Sequence, residues 1–171
     1  MGISPDIEIA AAPSFVKFFH KVAIQSVAAG SHHSLAITED GDLYSWGEGK
    51  LGQLGLGKCR EKRMPQRVAF DFDGQEEETG EKSQRVRACA AGFGHTAALT
   101  DGGSLYMWGF NVYGQVGVGD KKTRWHPEQI CYSAAGEQLP QFSKVACSKY
   151  ATYAIDSLGR PYSWGKGYTG H

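Results

Sequence analysis

A Tyr-x-Trp-Gly string occurs three times in this chain, and its spacing is the feature that most constrains the fold. The tryptophans stand at positions 46, 108 and 164, so the copies are 62 and 56 residues apart. A glycine or serine stands sixteen residues before each tryptophan, and a glycine stands six residues after it. Self-similarity at such a period indicates a repeat architecture, in which each unit buries its apolar face against the next.

The repeat carries a structural signature at fixed offsets. We expect its glycines to serve turns and close approaches, its tryptophans to be buried at equivalent places, and its histidines to hydrogen-bond the loop that precedes them. The signature residues are Gly30, His33, Gly41, Trp46, Gly47, Gly52 and Gly55 in the first copy, Gly92, His95, Gly103, Trp108, Gly109, Gly114 and Gly117 in the second, and Gly159, Trp164, Gly165 and Gly170 in the third.

Each unit has the pattern of a small antiparallel sheet. Leu35 and Ile37 alternate with polar neighbours, and a Glu-Asp-Gly turn at 39–41 leads into an aromatic strand. The pattern predicts strands at 27–30, 34–38, 43–46 and 66–70, with equivalents near 86–91, 96–100, 104–108 and 128–132, and no helix except one at 13–20. Four short antiparallel strands make one blade of a β-propeller, so the fold class is all-β.

The motifs resemble the regulator of chromosome condensation repeat family. The match rests on Val-Ala-Ala-Gly at 27–30, a histidine, an Asp-Gly turn, Tyr-x-Trp-Gly, and Gly-Gln-Leu-Gly at 52–55, and it covers about residues 22–171. The resemblance implies a seven-bladed propeller, of which this chain holds two full blades and most of a third. We expect an N-terminal segment at 1–21 and repeats at about 22–83, 84–141 and 142–171. Because so few blades cannot close a ring, we expect a fragment, an expressed piece of a longer protein, or a chain that needs further blades from elsewhere.

No catalytic, cofactor or metal site emerges from the sequence. Two Gly-x-Gly-x-x-Gly strings, at 47–52 and 165–170, lack the following helix that would present its N-terminus to a pyrophosphate, so we expect structural loops. His33 and His95 occupy the same position in different repeats and are not expected to converge on a metal ion. We therefore expect a protein that is not an enzyme and holds no cofactor.

Charge excludes some partners and suggests others. The chain has 18 basic and 18 acidic side chains, so direct binding of a nucleic acid is not expected. No apolar stretch has the length of a membrane span. A soluble, intracellular protein of the cytoplasm or nucleus is expected.

Basic residues nevertheless cluster at one repeat offset. They follow the Gly-Gln-x-Gly string in both full copies, and neighbouring blades should bring them side by side on a partner-binding face, with Trp125 as an aromatic anchor. Two solvated loops would give the same pattern. The insertion between the repeats is acidic, with Asp71, Asp73, Glu76, Glu77, Glu78 and Glu81. The basic set and its anchor are Lys58, Arg60, Lys62, Arg63, Lys121, Lys122, Arg124 and Trp125.

Three functions remain open. A protein–protein interaction scaffold is favoured because the signature is structural throughout. The resemblance also implies guanine-nucleotide exchange on a Ran-type small GTPase, which uses no covalent chemistry and leaves no catalytic motif, although residues 1–25 hold only Lys17 and Lys21 in place of a basic tail. The third is the accessory propeller of a ubiquitin ligase, which would make a ubiquitin-pathway protein the partner.

Overall fold

Three antiparallel sheets follow one another along the chain. The computed structural model describes Gly2 and residues 10–71, 84–133 and 135–167. The first sheet contains β1 (Ile24–Ala29), β2 (His33–Thr38), β3 (Leu43–Glu48) and β4 (Glu61–Arg67) in that order. The second contains β5 (Val86–Ala91), β6 (His95–Thr100), β7 (Leu105–Gly109) and β8 (Arg124–Gln129). The third contains β9 (Phe142–Cys147), β10 (Ala151–Asp156) and β11 (Pro161–Gly165).

The all-β prediction is confirmed, and the register repeats from blade to blade. His33 lies opposite Gly47, His95 opposite Gly109, and Ala151 opposite Gly165. In the described residues the only helical element is a 3-10 turn at Lys17–Phe19, within the range predicted for a helix.

The fourth strands begin earlier than predicted. They run over Glu61–Arg67 and Arg124–Gln129, whereas the sequence pattern placed them at 66–70 and 128–132. The prediction followed the apolar Val68 and Ile130, but an outermost strand faces solvent and its sequence is polar. Pro65 lies within β4 and Pro127 within β8, and proline is tolerated there because both strands are at the edge of a sheet. The pairing of each of these strands with its neighbour shifts register at the signature tryptophan.

The core lies between the blades. Leu35, Ile37 and Phe70 of the first blade pack against Tyr106 and Trp108 of the second. A second cluster joins the second and third blades in the same way. Each blade thus buries its apolar face on its neighbour, as the repeat pattern requires.

The signature tryptophans of the second and third blades each rest on a glycine of the preceding blade's loop. Gly55 has φ +71°, and a Cβ there would come within 2.8 Å of the Trp108 indole nitrogen. Gly117, with φ +80°, stands in the same relation to Trp164 at 2.6 Å. Both positions combine a left-handed backbone with a close approach, so only glycine fits.

A hydrogen-bonded relay crosses each boundary between blades. The Thr96 hydroxyl donates to Gln53 O at 2.7 Å, so the His33 Nε2–H must be the donor in its 2.8 Å bond to Thr96 Oγ1. His95 forms the same relay with the third blade, through Thr152 to Gln115 O. The histidines thus bond the following blade, and the expected bond to the preceding loop is wrong, because the imidazole points across the boundary.

Burial keeps these histidines neutral. It lowers the pKa of His33 and of His95 from 6.5 to about 4. The indole N–H of Trp108 also donates to Gln53 O, at 2.9 Å, and that of Trp164 donates to Gln115 O, at 2.9 Å. The main-chain carbonyl oxygens of Gln53 and Gln115 therefore each accept two hydrogen bonds from the next blade, one from a threonine and one from a tryptophan, and these bonds hold the blades together.

Candidate interaction face

The ends of the strands define two faces of the molecule. In a four-stranded meander the first and third connections lie at one end, so the β1–β2 turn and the β3–β4 loop share a face. Hydrogen bonds between turns align these ends across blades: Ser31 N–H donates to Gly92 O and Phe93 N–H donates to Lys149 O, each at 3.2 Å. We call this end the upper face, and the end that carries the β2–β3 and β6–β7 turns the lower face.

The two basic segments meet on the upper face. The Lys58 ammonium lies 5.7 Å from the centre of the Trp125 ring, within the range of a cation–π contact. The backbone N–H of Gly57 donates to Trp125 O at 3.0 Å, so the first blade's loop is tied to the second blade's outer strand. Lys62, Arg63, Arg124 and Trp125 lie in β4 and β8, not in loops as the sequence pattern suggested.

Ion pairs divide the basic residues into two groups. Arg63 pairs with Glu61 at 2.8 Å, and Arg124 pairs with Asp120 at 3.1 Å and also with Glu128. Hydrogen bonds from these guanidiniums lower the pKa of Glu61 and of Asp120. The remaining cations are exposed and form no ion pair within the described part of the chain: Lys58, Arg60, Lys62, Lys121 and Lys122.

An aromatic cluster lies on the same face. Its rings are Phe93, Phe110, Tyr113 and Tyr150, with neighbouring centroids 5.2–6.5 Å apart. Two ammonium groups lie over it: Lys149 is 5.2 Å from the Tyr150 ring, and Lys166 is 4.7 Å from the Tyr113 ring. The upper face thus combines positive charge with partly exposed aromatic surface, a composition typical of binding hot spots.

The sequence reasoning missed this cluster. The turn between the first two strands of each blade is Ser31-His32 in the first blade, Phe93-Gly94 in the second and Lys149-Tyr150 in the third. Its residues differ between blades although the signature residues on either side recur. The variation of these turn residues between otherwise similar repeats could have indicated a binding surface. The hairpin turns of the lower face carry acidic residues in two blades, Glu39 and Asp40 in the first and Asp101 in the second, and Arg160 in the third.

The other candidate motifs are only partly covered by the described residues. Residues 47–52 span the end of β3 and the start of the β3–β4 loop, and within the described residues the next element is β4, not a helix. Gly170 and the acidic positions between 72 and 83 lie outside the described residues. Within the described ranges, His, Cys, Asp and Glu side chains form no group of three or more that could hold a metal ion. No helix there has the length and apolarity needed to cross a membrane.

The architecture is that of a repeat β-propeller, and sequence comparison identifies which kind. Two profiles described as regulator of chromosome condensation (RCC1) repeats match the chain, one over residues 40–99 and 102–155 and the other over 24–53 and 86–115. The chain belongs to the RCC1 repeat family.

Its relatives are larger proteins. It is 35% identical over 160 residues to the ultraviolet-B receptor UVR8 of Arabidopsis thaliana, which covers 94% of this chain and 33% of that protein. It is 35% identical over 165 residues to the human E3 ubiquitin-protein ligase HERC2, covering 94% of this chain and 3% of the ligase. The chain therefore spans a third or less of the length of these relatives.

Solved structures agree with this assignment. Human WBSCR16 superposes with a TM-score of 0.70 at 27% identity, covering 84% of this chain and 33% of that one. The yeast RCC1 protein Prp20, solved bound to Kap60, superposes with a TM-score of 0.68 at 26% identity, covering 83% and 32%. A second structure of Prp20, from Saccharomyces cerevisiae, is described together with its binding properties to Gsp1p and histones.

Proposed function

We propose that this chain is a non-catalytic interaction scaffold whose upper face binds an acidic surface on a protein partner. The observation that carries the proposal is the contact between Lys58 and Trp125, which joins the basic segments of two blades into one surface. Kap60, Gsp1p and histones, named for Prp20, support a protein as the class of partner.

The energetics favour this face over the rest of the surface. Lys58, Arg60 and Lys62 form no ion pair within the described residues, so binding a partner's carboxylates does not require breaking one. Their charge would speed association, while Trp125 and the aromatic cluster would supply the desolvated contact that holds a complex together.

The test compares two variants with the same change in charge. Arg60, Lys62 and Lys122 are changed together to Glu in one variant, and Lys17, Lys21 and Lys144 are changed together to Glu in the control. All six are exposed. Partners captured from a cell extract by the wild-type chain should be lost by the first variant and kept by the control. If both variants retain the same partners, the upper face is not the binding surface.

Guanine-nucleotide exchange is the second candidate, because the related Prp20 is described as binding Gsp1p. The test is release of a fluorescent guanine nucleotide from a purified Ran-type GTPase, with and without this chain. Acceleration that the Arg60, Lys62 and Lys122 variant loses would favour exchange. The accessory role in a ubiquitin ligase rests on the similarity to a small part of HERC2, and co-purification of a ligase activity with the chain would favour it.

A further inference from the structure

The aromatic cluster of the upper face is centred on the second blade, which has a described blade on either side. Leu51, from the loop of the first blade, packs onto the second: a Cβ on Gly94 would lie 2.8 Å from Leu51 Cδ1. Tyr113 leans on the third blade in the same way, with its ring 5.2 Å from that of Tyr150. With both neighbours in place, Val112 is still 50% exposed and Tyr113 38% exposed. This apolar surface is therefore open to solvent although the blades on both sides are packed against it.

The corresponding loop of the first blade is charged instead. At the repeat offset of 62 residues, Phe110 corresponds to Glu48 and Val112 to Lys50. Glu48 and Lys50 form an ion pair there at 2.8 Å. The two hairpins have the same register, so the fold accepts charged side chains at these positions. Apolar side chains that solvent reaches and that the fold does not require are typical of a binding surface.

The loop that carries this surface is held by buried amide side chains. Asn111 Nδ2 donates to Asp120 O and to Lys122 O, each at 3.0 Å. The backbone N–H of Tyr113 donates to Gln115 Oε1 at 2.9 Å. Asn111 and Gln115 are both buried. A loop fixed in this way loses little conformational freedom when a ligand binds, so its contacts are not offset by a cost of ordering.

The charge on the cluster selects the kind of ligand. The Lys149 ammonium lies 5.2 Å from the centre of the Tyr150 ring and 5.7 Å from that of Phe93. The Lys166 ammonium lies 4.7 Å from the centre of the Tyr113 ring. Lys149 is exposed and forms no ion pair within the described residues. These ammonium groups repel a cationic ligand, attract a carboxylate, and occupy ring faces on which a nucleobase would stack.

We propose that the aromatic cluster binds an acidic peptide segment of a protein partner that carries an aromatic side chain. This side chain would lie on Val112 and Tyr113, and a neighbouring carboxylate would pair with Lys149. The proposal rests on the proposed function, because the segment belongs to a partner that binds the same face. It adds the place of the apolar contact and the kind of sequence that is recognised there.

The experiment uses the full chain labelled with ¹⁵N and three short synthetic peptides. One peptide has a central phenylalanine between glutamates, the second has alanine in place of the phenylalanine, and the third has glutamines in place of the glutamates. The phenylalanine peptide should shift the backbone N–H signals of Val112 and Tyr113 saturably. The alanine peptide should bind about tenfold more weakly, because aromatic anchors carry much of the binding energy. The glutamine peptide should also bind more weakly, and its binding should depend less on salt.

Two variants separate the apolar contact from general charge attraction. Val112→Lys and Tyr113→Leu, made together, introduce the residues that the first blade holds at these positions, so the fold accepts them. This variant loses the apolar contact but gains a positive charge, and it should bind the phenylalanine peptide several-fold more weakly. Lys149→Ser should also weaken binding, whereas Lys144→Ser, with the same loss of charge at another exposed position, should not.

Four results would overturn the proposal. Equal binding of the phenylalanine and alanine peptides would exclude an aromatic anchor. Unchanged or tighter binding by the variant with Val112→Lys and Tyr113→Leu would reduce the interaction to charge. Tighter binding of oligothymidylate than of the peptide, with shifts of the same two signals, would assign the cluster to a nucleic acid. Shifts of these signals with chain concentration alone would assign it to a second copy of the chain.

The capture assay with Arg60, Lys62 and Lys122 changed to Glu is independent of these peptides. If that variant loses the partners but the wild-type chain does not bind the phenylalanine peptide, the proposed function is supported and only the present proposal fails. If the peptide binds as expected and the captured partners are unaffected by the variant, the reverse holds.

Discussion

At the residue scale, the same repeat position holds a buried aromatic residue in one blade and an exposed one in the next. Phe70 is inserted between blades and Tyr132, its repeat counterpart, is in solvent. A phenylalanine has no polar atom to satisfy, whereas a tyrosine at this position would need a partner for its hydroxyl. The repeat offset alone therefore does not decide whether a side chain enters the core.

This difference predicts unequal costs of truncation. Phe70→Ala removes a buried ring that contacts Trp108 and should lower the free energy of unfolding by about 3–5 kcal/mol. Tyr132→Ala removes an exposed ring and should change it by within about 0.5 kcal/mol, as surface substitutions do. Chemical denaturation of both variants gives the comparison. Similar losses for the two would mean that Tyr132 is packed in solution.

The buried histidines predict a loss of stability in acid. The pKa of His33 and of His95 is about 4 in the folded chain, against 6.5 without burial, so the unfolded chain binds protons more readily between these values. Stability should therefore be complete above about pH 6.5 and fall toward pH 4, by on the order of 3 kcal/mol for each histidine.

The measurement is the midpoint of thermal unfolding across this pH range. His95→Gln keeps a side-chain N–H donor without an ionisable ring, so it should reduce the slope. His126→Gln is the control, because His126 is exposed. A slope that His95→Gln leaves unchanged would assign the acid sensitivity to other groups.

At the scale of the elements, the strands were more predictable from sequence than their outer edges. Leu35 and Ile37 alternate with polar residues and are fully buried, so the second strand followed from periodicity. β4 and β8 have no such pattern because one edge and much of their surface face solvent. Their hydrogen bonds to β3 and β7, rather than side-chain burial, set their bounds.

The site was predictable to a similar degree. The repeat offset brought Lys58 and Trp125 to neighbouring blades, but it contained no information on the partners of Arg63 and Arg124. Those ion pairs are made with Glu61 and Asp120, which come close to the two arginines only when the strand and the turn before it have formed. The expectation that the signature tryptophans are buried holds for Trp46 and Trp108, whereas Trp164 is half-buried.

The relay between blades makes a prediction at the same scale. Thr96→Val deletes the hydroxyl that links His33 to Gln53 O, and leaves a buried imidazole N–H without an acceptor. The free energy of unfolding should fall by about 1–3 kcal/mol. Ser34 is the counterpart of Thr96 in the first blade and has no such relay within the described residues, so Ser34→Ala should cost less. Equal losses in denaturation experiments would show that the relay adds nothing.

At the scale of the whole molecule, a net charge of zero conceals a separation of charge. Exposed cations without a described ion pair, among them Arg60, Lys62 and Lys122, lie on the upper face, while the carboxylates of Glu39, Asp40 and Asp101 lie on the lower face. A negatively charged surface that approaches the upper face is therefore attracted although the total charge of the chain is zero. The attraction extends over the Debye length, which is about 10 Å at 0.1 M salt.

This separation predicts the behaviour of the chain on a cation-exchange resin. The wild-type chain should be retained at low ionic strength and neutral pH, because the resin meets the upper face, and salt should elute it as screening grows. Changing Arg60, Lys62 and Lys122 to Glu should abolish retention. The variant with Lys17, Lys21 and Lys144 changed to Glu has the same net charge but keeps the upper face, so it should still be retained. If the two variants elute together, net charge governs the interaction, and the face does not act as a unit.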